Sequence, residues 1–366
     1  MNLRTTARHL GVAVITALTV AAPATALADA PIARPAPAGS AFSFGLWGDM
    51  PYAKGGDYPK MTRLVNDINS ETIAFSVYDG DVKDGSSLCT PDQYAGATEL
   101  FNSIKVPTVY VPGDNEWTDC HRTNNGGFNN IERLNYIRRT MFNTPNSFGK
   151  VQMVLEHQGV AGAAYSENRR WTYGDVVFVT INQPGSNNNK INSDKECTDK
   201  SARVAADCDA DNAEYKERDA KNIAWLRSSF DLAKKQGSKG VVIVTQGDPG
   251  FDLPETEGIN ERLDPSAVGM PPSDGYTNFL NILVDETLYF SGQVLFVHGD
   301  THFFKMDKPL MSNGADRDVR EATGTILQNF TRVMTFGSPS VHWLKIEVDP
   351  SSRALFKVSP MMVPGN

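Results

Sequence analysis

Five short apolar runs set the rhythm of this chain, and each stops on a polar cluster. "FSFGLW" ends at Gly48-Asp49, "IAFSVYD" at Gly80-Asp81 and "VPTVYVP" at Gly113-Asp114. Further on, "GVVIVT" reaches Gln246-Gly247-Asp248 and "VLFVH" reaches Gly299-Asp300, two residues before His302. Runs this short, rich in Val, Ile and Phe and bounded by Gly or Pro, predict buried strands. Helical spacing takes over between some of them. Ala220, Ile223, Leu226 and Phe230 predict one helix over 211–236, ahead of Gly237, and "TNFLNILVDETLYF" predicts a second. Strands alternating with helices imply an α/β fold. In such sheets ligands collect outside the carboxyl ends of the strands, where all five polar clusters lie.

The N-terminus follows a different pattern. Arg4 and Arg8 precede the apolar stretch "GVAVITALTVAA", and "ALA" at 26–28 offers small residues for cleavage, so residues 1–28 read as a secretory signal peptide. Cleavage after Ala28 is favoured over Ala30, because Pro31 would then stand first. Residues 29–41 read as a Pro/Ala linker, leaving 42–366 as a single domain with no internal repeat. No later run approaches the roughly 20 apolar residues of a membrane span. The expected product is secreted or periplasmic. Loss of Arg4 and Arg8 takes the formal charge from -8 to -10, which argues against nucleic acid or an anionic membrane as the main partner. Four cysteines in an exported chain fit two disulfides. Of the three pairings, Cys89–Cys120 and Cys197–Cys208 are favoured: the second closes a short polar loop and the first ties two strand-end loops.

Gly-Asp is a common turn pair, and one instance would mean little. Five apolar runs closing on polar clusters change that reading. Carboxylates gathered without partners repel and raise one another's pKa, and a divalent metal offsets them with the fewest ions. The motifs "GDMP", "GDVKD", "GDNE", "VTQGDP" and "HGDTH" stand in an order that resembles the calcineurin-like metallophosphoesterases. The spacing agrees, with 32 residues from Asp49 to Asp81 and 33 from Asp81 to Asp114. "YSENRRWTYGDVVFVTIN" at 165–182 is similar to the family's strand pair between the third and fourth motifs.

The resemblance implies an α/β/β/α sandwich, two mixed sheets flanked by helices, with a two-metal site at one end. It places Asp49, Asp81 and His302 on the first metal. Asp81 would bridge, and Asp114, Gln246 and Asp300 would hold the second; Asp84 and Asp248 are further candidates. Four family histidines are replaced here, by Pro51, Asn115, Gln246 and Asp300. The second half-site is therefore all oxygen, which favours Mn²⁺, Mg²⁺ or Ca²⁺ over Zn²⁺, with Fe a further option. Adding Asp114 and Asp300 also cancels the site's positive charge, so either hydrolysis is slow or a cation compensates nearby. Arg122, Lys83 and Lys305 follow motif residues and are the candidates for that role and for binding a phosphorylated small molecule, although a plain surface charge is the simpler reading of each. Asn115 stands where the family keeps a catalytic His and cannot give up a proton. His121, beside Cys120, is the alternative acid.

Other residues receive structural readings. His298 is expected to pack inward, His157 and His342 to be structural, and Trp117 to seal the core. Residues 183–208 and 251–273 are expected to be irregular loops flanking the site. Three functions stay open: a phosphomonoester or diester hydrolase using metal-activated water, a non-catalytic metal-binding descendant of that fold, and an extracellular interaction or scaffold module.

Overall fold

In the computed structural model, which describes residues 30–250, 274–312 and 324–366, the apolar runs form two facing sheets. The first contains β1 (Phe42–Trp47), β2 (Ser76–Tyr78), β3 (Thr108–Tyr110), β11 (Trp343–Val348) and β12 (Phe356–Met361), in the order β12-β11-β1-β2-β3. β1, β2 and β3 run parallel, and β11 is antiparallel to β1. The second sheet has the order β4-β5-β6-β7-β8-β10-β9. Its members are β4 (Glu156–His157), β5 (Arg169–Tyr173), β6 (Val176–Thr180), β7 (Gly240–Val244), β8 (Gln293–His298), β9 (Lys305–Asp307) and β10 (Phe330–Met334). β6, β7 and β8 are parallel, and β5 with β6 forms the antiparallel pair expected at 165–182.

Three apolar clusters define the layers. Phe44, Leu46, Phe75 and Val77 from the first sheet meet Phe178, Val242, Val244 and Leu295 from the second, so the sheets pack face to face. The outer face of the first sheet, with Trp47, Tyr78 and Tyr110, is covered by α1 (Tyr58–Ser70), α2 (Pro91–Ser103) and α3 (Asn130–Met141). A short α4 (Asp194–Thr198) precedes two helices, α5 (Ala205–Gln236) and α6 (Thr277–Leu288), that cover the outer face of the second sheet. This is the four-layer α/β/β/α arrangement. It explains why β6, up to Thr180, and β7 are apolar, since each is buried on both faces.

The long helix begins at Ala205, earlier than its apolar spacing suggests, and stops at Gly237, which takes the left-handed conformation. Residues 31–36 are tied back by Gln152 N donating to Pro31 O, Ala33 N to Gln152 O, and Gly174 N to Ala36 O. Both expected disulfides are formed, Cys89–Cys120 and Cys197–Cys208. Among the described residues no helix is long and apolar enough to cross a membrane. The expected signal peptide (1–28) and the 251–273 loop lie outside the described residues.

Candidate metal centre

The parallel strands of both sheets point their carboxyl ends to one edge, and the nominated residues stand there. Asp49 follows β1, Asp81 follows β2, Asp114 follows β3, Gln246 follows β7, and Asp300 and His302 follow β8. Glycines let these ends close up. A Cβ on Gly113 would collide with the Asp81 carboxylate, and one on Gly299 with that of Asp49. The Gly of each pair thus makes room for a neighbour's Asp. Asp49, Asp81, Asp300 and His302 all adopt positive φ (50°, 61°, 72° and 67°). Non-glycine residues hold that conformation at a cost, and such outliers concentrate at functional sites.

The contacts then link residue to residue. Asp300 N donates to Asp49, 3.2 Å from each carboxylate oxygen, and His302 Nε2 lies 3.5 Å from Asp49 Oδ1. His302 Nδ1 is 2.8 Å from Ser338 O. Asp81 accepts from Tyr52 Oη (2.7 Å), Asn115 Nδ2 (2.6 Å) and Asn115 N (3.1 Å). Asp114 accepts from Ser186 Oγ (2.8 Å) and Gln246 Nε2 (3.2 Å). Asp300 accepts from Gln246 Nε2 (3.4 Å) and Asp248 N (3.2 Å).

The electrostatics of this edge run against ionised carboxylates. Burial, followed by repulsion from Asp114 and other acids, pushes Asp81 and Asp300 well above the usual carboxylate range. Asp49 is also raised by burial, although His302 opposes the shift. Burial lowers the His302 pKa, but its hydrogen bond to Asp49 and the Asp49 charge outweigh this and bring it up to about 9. Asp119 is pushed up to about 7 by burial and by Asp114, against the pull of Arg122.

The remaining candidates divide. Lys83 is not a surface charge: it is 1% exposed, because its loop tucks beneath Glu116, whose Oε1 accepts from Val82 N. Burial lowers its pKa, while Glu116, Asp81, Asp119 and Asp114 hold its charge. Arg122 sits 2.5 Å from Asp119 and 3.3 Å from Ser186 Oγ. Lys305 stands on β9, 3.7 Å from Asp307. Asp84 is occupied by the backbone N–H groups of Ala53, Lys54 and Ser86 and by Ser86 Oγ, which together bring its pKa down to about 2 despite burial. Asp248 Oδ1 accepts from Gly250 N. His121 Nδ1 faces Ser201 Oγ at 2.9 Å, and burial, then Arg203 and Arg122, pull its pKa to about 3. Away from the site, His298 and Trp117 are fully buried, and the Arg218 guanidinium lies 5.1 Å from the Trp117 ring.

Several participants carry no motif. Tyr52 bridges Asp81 and the His302 ring, whose centroid lies 5.1 Å from its own. Asp79, fully buried, accepts from Thr335 Oγ1 and leaves Oδ1 without a partner. The largest surprise is the turn in "GSNNN". Ser186, Asn187, Asn188 and Asn189 run consecutively at φ of 49–62°, a left-handed conformation that Asn tolerates better than most residues. The turn presses Gly185 onto the centre, where a Cβ would lie 2.6 Å from Asp300 Oδ1 and 2.9 Å from Asp114 Oδ2. The Asn run is the sequence signal for it.

Among the described residues, no group of three or more His, Cys, Asp or Glu is arranged as a metal site. The carboxylates are gathered, but each accepts from a protein hydrogen-bond donor, and His302 is turned onto Asp49 and the Ser338 carbonyl. The two half-sites differ in what a cation would meet. Asp49, Asp81 and His302 present repelling carboxylates and one imidazole, a set that suits a hard divalent ion. In the other half, Gln246 turns its amide nitrogen toward both carboxylates, and Gly185 N donates to its Oε1 at 2.6 Å. A second ion would require that arrangement to open.

The chain matches no protein-family model and no curated protein in sequence. Among solved structures it is similar to GAP50, described as the anchor in the inner membrane complex of Plasmodium, at 12% identity and TM-score 0.44 over 89% of this chain and 90% of that one. It is also similar to purple acid phosphatase PPD1 from yellow lupin seeds (12% identity, TM-score 0.46, 84% of this chain, 49% of that one). A third is the sulfate thiohydrolase SoxB of Thermus thermophilus (12% identity, TM-score 0.41, 88% of this chain, 56% of that one). The chain spans about half the length of the last two. These likenesses are of chain path, and no site residue is transferred from them.

Proposed function

We propose that the chain is an exported phosphoesterase working with a divalent cation held by Asp49, Asp81 and His302. The observation that carries this reading is the convergence of Asp49, Asp81 and His302 at the strand ends, where His302 Nε2 lies 3.5 Å from Asp49 Oδ1 and Asp300 N donates to Asp49. Burial raises Asp49, Asp81 and Asp300 together, and Asp81 and Asp300 further through neighbouring carboxylates. A cation set among those carboxylates would remove the penalty. Two carboxylates and one imidazole suit a divalent ion that accepts both oxygen and nitrogen, such as Mn²⁺, and the preference against Zn²⁺ belongs to the all-oxygen half of Asp114, Gln246 and Asp300. When bound, such an ion supplies positive charge for phosphoryl oxygens and makes water more acidic.

The chain's own residues do the positioning. Tyr52 and Asn115 hold Asp81 by hydrogen bonds, and Ser338 O fixes His302 through Nδ1. Asp300 N holds Asp49. Lys83 contributes a buried positive charge close to Glu116 and Asp81. His121, neutral at pH 7 and turned to Ser201, serves in this reading as a wall residue, so the leaving group takes its proton from solvent. Export rests on the Arg4/Arg8 leader pattern.

A second reading, a catalytically silent descendant that binds metal or a ligand, draws on the closed half formed by Gly185, Ser186 and Gln246. Elemental analysis of purified protein and a Mn²⁺-dependent assay on p-nitrophenyl phosphate and its bis ester separate the two. The phosphoesterase reading expects bound metal and turnover that falls at least about 100-fold in Asp81→Asn. Metal without turnover favours the second reading, and neither metal nor turnover favours an interaction or scaffold module.

A further inference from the structure

We propose that the ≈710 Å³ cleft beside the carboxylate centre is a subsite for the alcohol half of the substrate, and that it selects phosphoesters of hydrophilic, non-aromatic alcohols bearing a second anionic group. The substrate assignment rests on the phosphoesterase reading above. The cleft meets the centre at Ser186, which is exposed on the cleft side. Its Oγ lies 2.8 Å from Asp114 Oδ2 and 2.7 Å from Asp119 Oδ1. A ligand whose phosphoryl group approaches the strand ends would therefore extend its alcohol into this space.

The cleft walls are tied in place. Cys89–Cys120 anchors one loop and Cys197–Cys208 the other. The two walls are also joined to each other: Thr123 N donates to Lys200 O and Ala202 N donates to His121 O, both at 2.9 Å. A pre-formed cleft of this size is what a small ligand needs, since little ordering entropy is lost on binding.

The lining chemistry selects the ligand. Arg122, Lys190, Lys200 and Arg203 face the cleft together with Asp119, Glu196 and Asp199. Arg122 is paired with Asp119, Lys190 with Asp274, and Arg203 with Asp211. Lys200 is exposed, and among the described residues its ammonium pairs with no carboxylate. It is the cation left for a ligand. The described wall offers hydroxyls and amides, such as Thr123, Asn124 and Asn187, with Ile191 as its large aliphatic side chain and no Phe, Tyr or Trp. An aryl group or nucleobase would find no ring to stack on, whereas a polyol would find hydrogen-bond partners.

The test compares KM values, because an activated aryl leaving group inflates kcat. With Mn²⁺, the KM for fructose 1,6-bisphosphate should be lowest, that for glycerol 2-phosphate intermediate and that for p-nitrophenyl phosphate highest. Lys200→Glu should raise the bisphosphate KM about three- to tenfold relative to that of glycerol 2-phosphate, and Lys200→Gln by a smaller factor. An aryl-ester KM at or below that of the bisphosphate, or an unaltered KM ratio in Lys200→Glu, overturns the assignment. If no ester is hydrolysed, the phosphoesterase reading fails, and the cleft is still read by titrating fructose 1,6-bisphosphate into the Ca²⁺-loaded protein. Binding weakened about three- to tenfold by Lys200→Glu then supports an anionic-polyol site, while equal or absent binding overturns it.

Discussion

Two buried polar regions lie within this fold, and they are balanced in opposite ways. Beneath α5 and β6, Arg138 binds both oxygens of Glu167 at 2.6 and 2.8 Å, and Asn182 Nδ2 adds a third bond to the same carboxylate. Nearby, Asn168, Asn182, Asn222 and Arg218 exchange hydrogen bonds among themselves. Burial alone would raise Glu167, but Arg138 holds it below the usual range. At the strand ends, Asp81 is buried and Asp300 partly so, and both are raised. A region that carries its own counter-charge has the character of a structural part. A region that gathers carboxylates beyond its counter-charges is built for something that arrives from outside.

The first way to break this comparison is to remove the internal counter-charge. Arg138→Met leaves Glu167 buried and unpaired and should cost about 3–5 kcal/mol in urea denaturation. Arg138→Met with Glu167→Met should recover much of that loss. A single variant within about 0.5 kcal/mol of wild type would show that the pair is not what stabilises this region.

The second prediction has the opposite sign. Asp300→Asn removes a repelling charge from the centre and should stabilise the metal-free protein by about 1–2 kcal/mol. It should also reduce the stabilisation that Mn²⁺ gives the wild type, which reaches about 2.7 kcal/mol at a hundredfold excess over Kd. Thermal unfolding with and without Mn²⁺ measures both effects. A destabilised, Mn²⁺-responsive Asp300→Asn would mean that the carboxylate serves the fold rather than the site.

The strand-end part of the centre was legible in the chain because a strand's carboxyl end can be read from where an apolar run stops. That rule puts Asp49, Asp81, Asp114 and Asp300 at strand ends, whereas the choice of Gln246 and His302 with them came from the family resemblance. The runs implied an α/β fold, and the resemblance implied its α/β/β/α layering. Residues whose position depends on which loop covers which were not legible. Lys83 looked like a surface lysine because nothing local shows that Glu116 lies above its loop. Tyr52 and Asp79 reach the centre through contacts with Asp81 and Thr335, 29 and 256 residues away along the chain. The left-handed run at 186–189 depends on distant clamps: Arg218 binds the Asn188 side chain and carbonyl, and Glu214 binds Asn189. The Asn run tolerates that conformation, but nothing local shows which distant side chains clamp it.

The smallest predicted effect concerns pH, and it sets the two regions against each other in one measurement. Arg138 holds the folded Glu167 below its ordinary value of 4.5, so its contribution is present above pH 4.5 and is lost as pH falls through the lower, folded value. Asp81 and Asp300 have folded pKa values above 3.8. Their protonated forms favour the fold, so that contribution is present below 3.8 and is lost as pH rises through the raised values. Stability falls with pH wherever the folded state binds more protons than the unfolded chain. These carboxylates should therefore take on the order of 1 kcal/mol from the metal-free protein between pH 5 and pH 8, against the gain from His121, whose pKa burial pulls to about 3. Mn²⁺ should flatten or reverse that slope, because the cation takes the place of the protons. Asp300→Asn should flatten it without metal. A metal-free wild type whose change in stability from pH 5 to pH 8 equals that of Asp300→Asn would mean that the strand-end carboxylates are already compensated, and the two regions would then be alike.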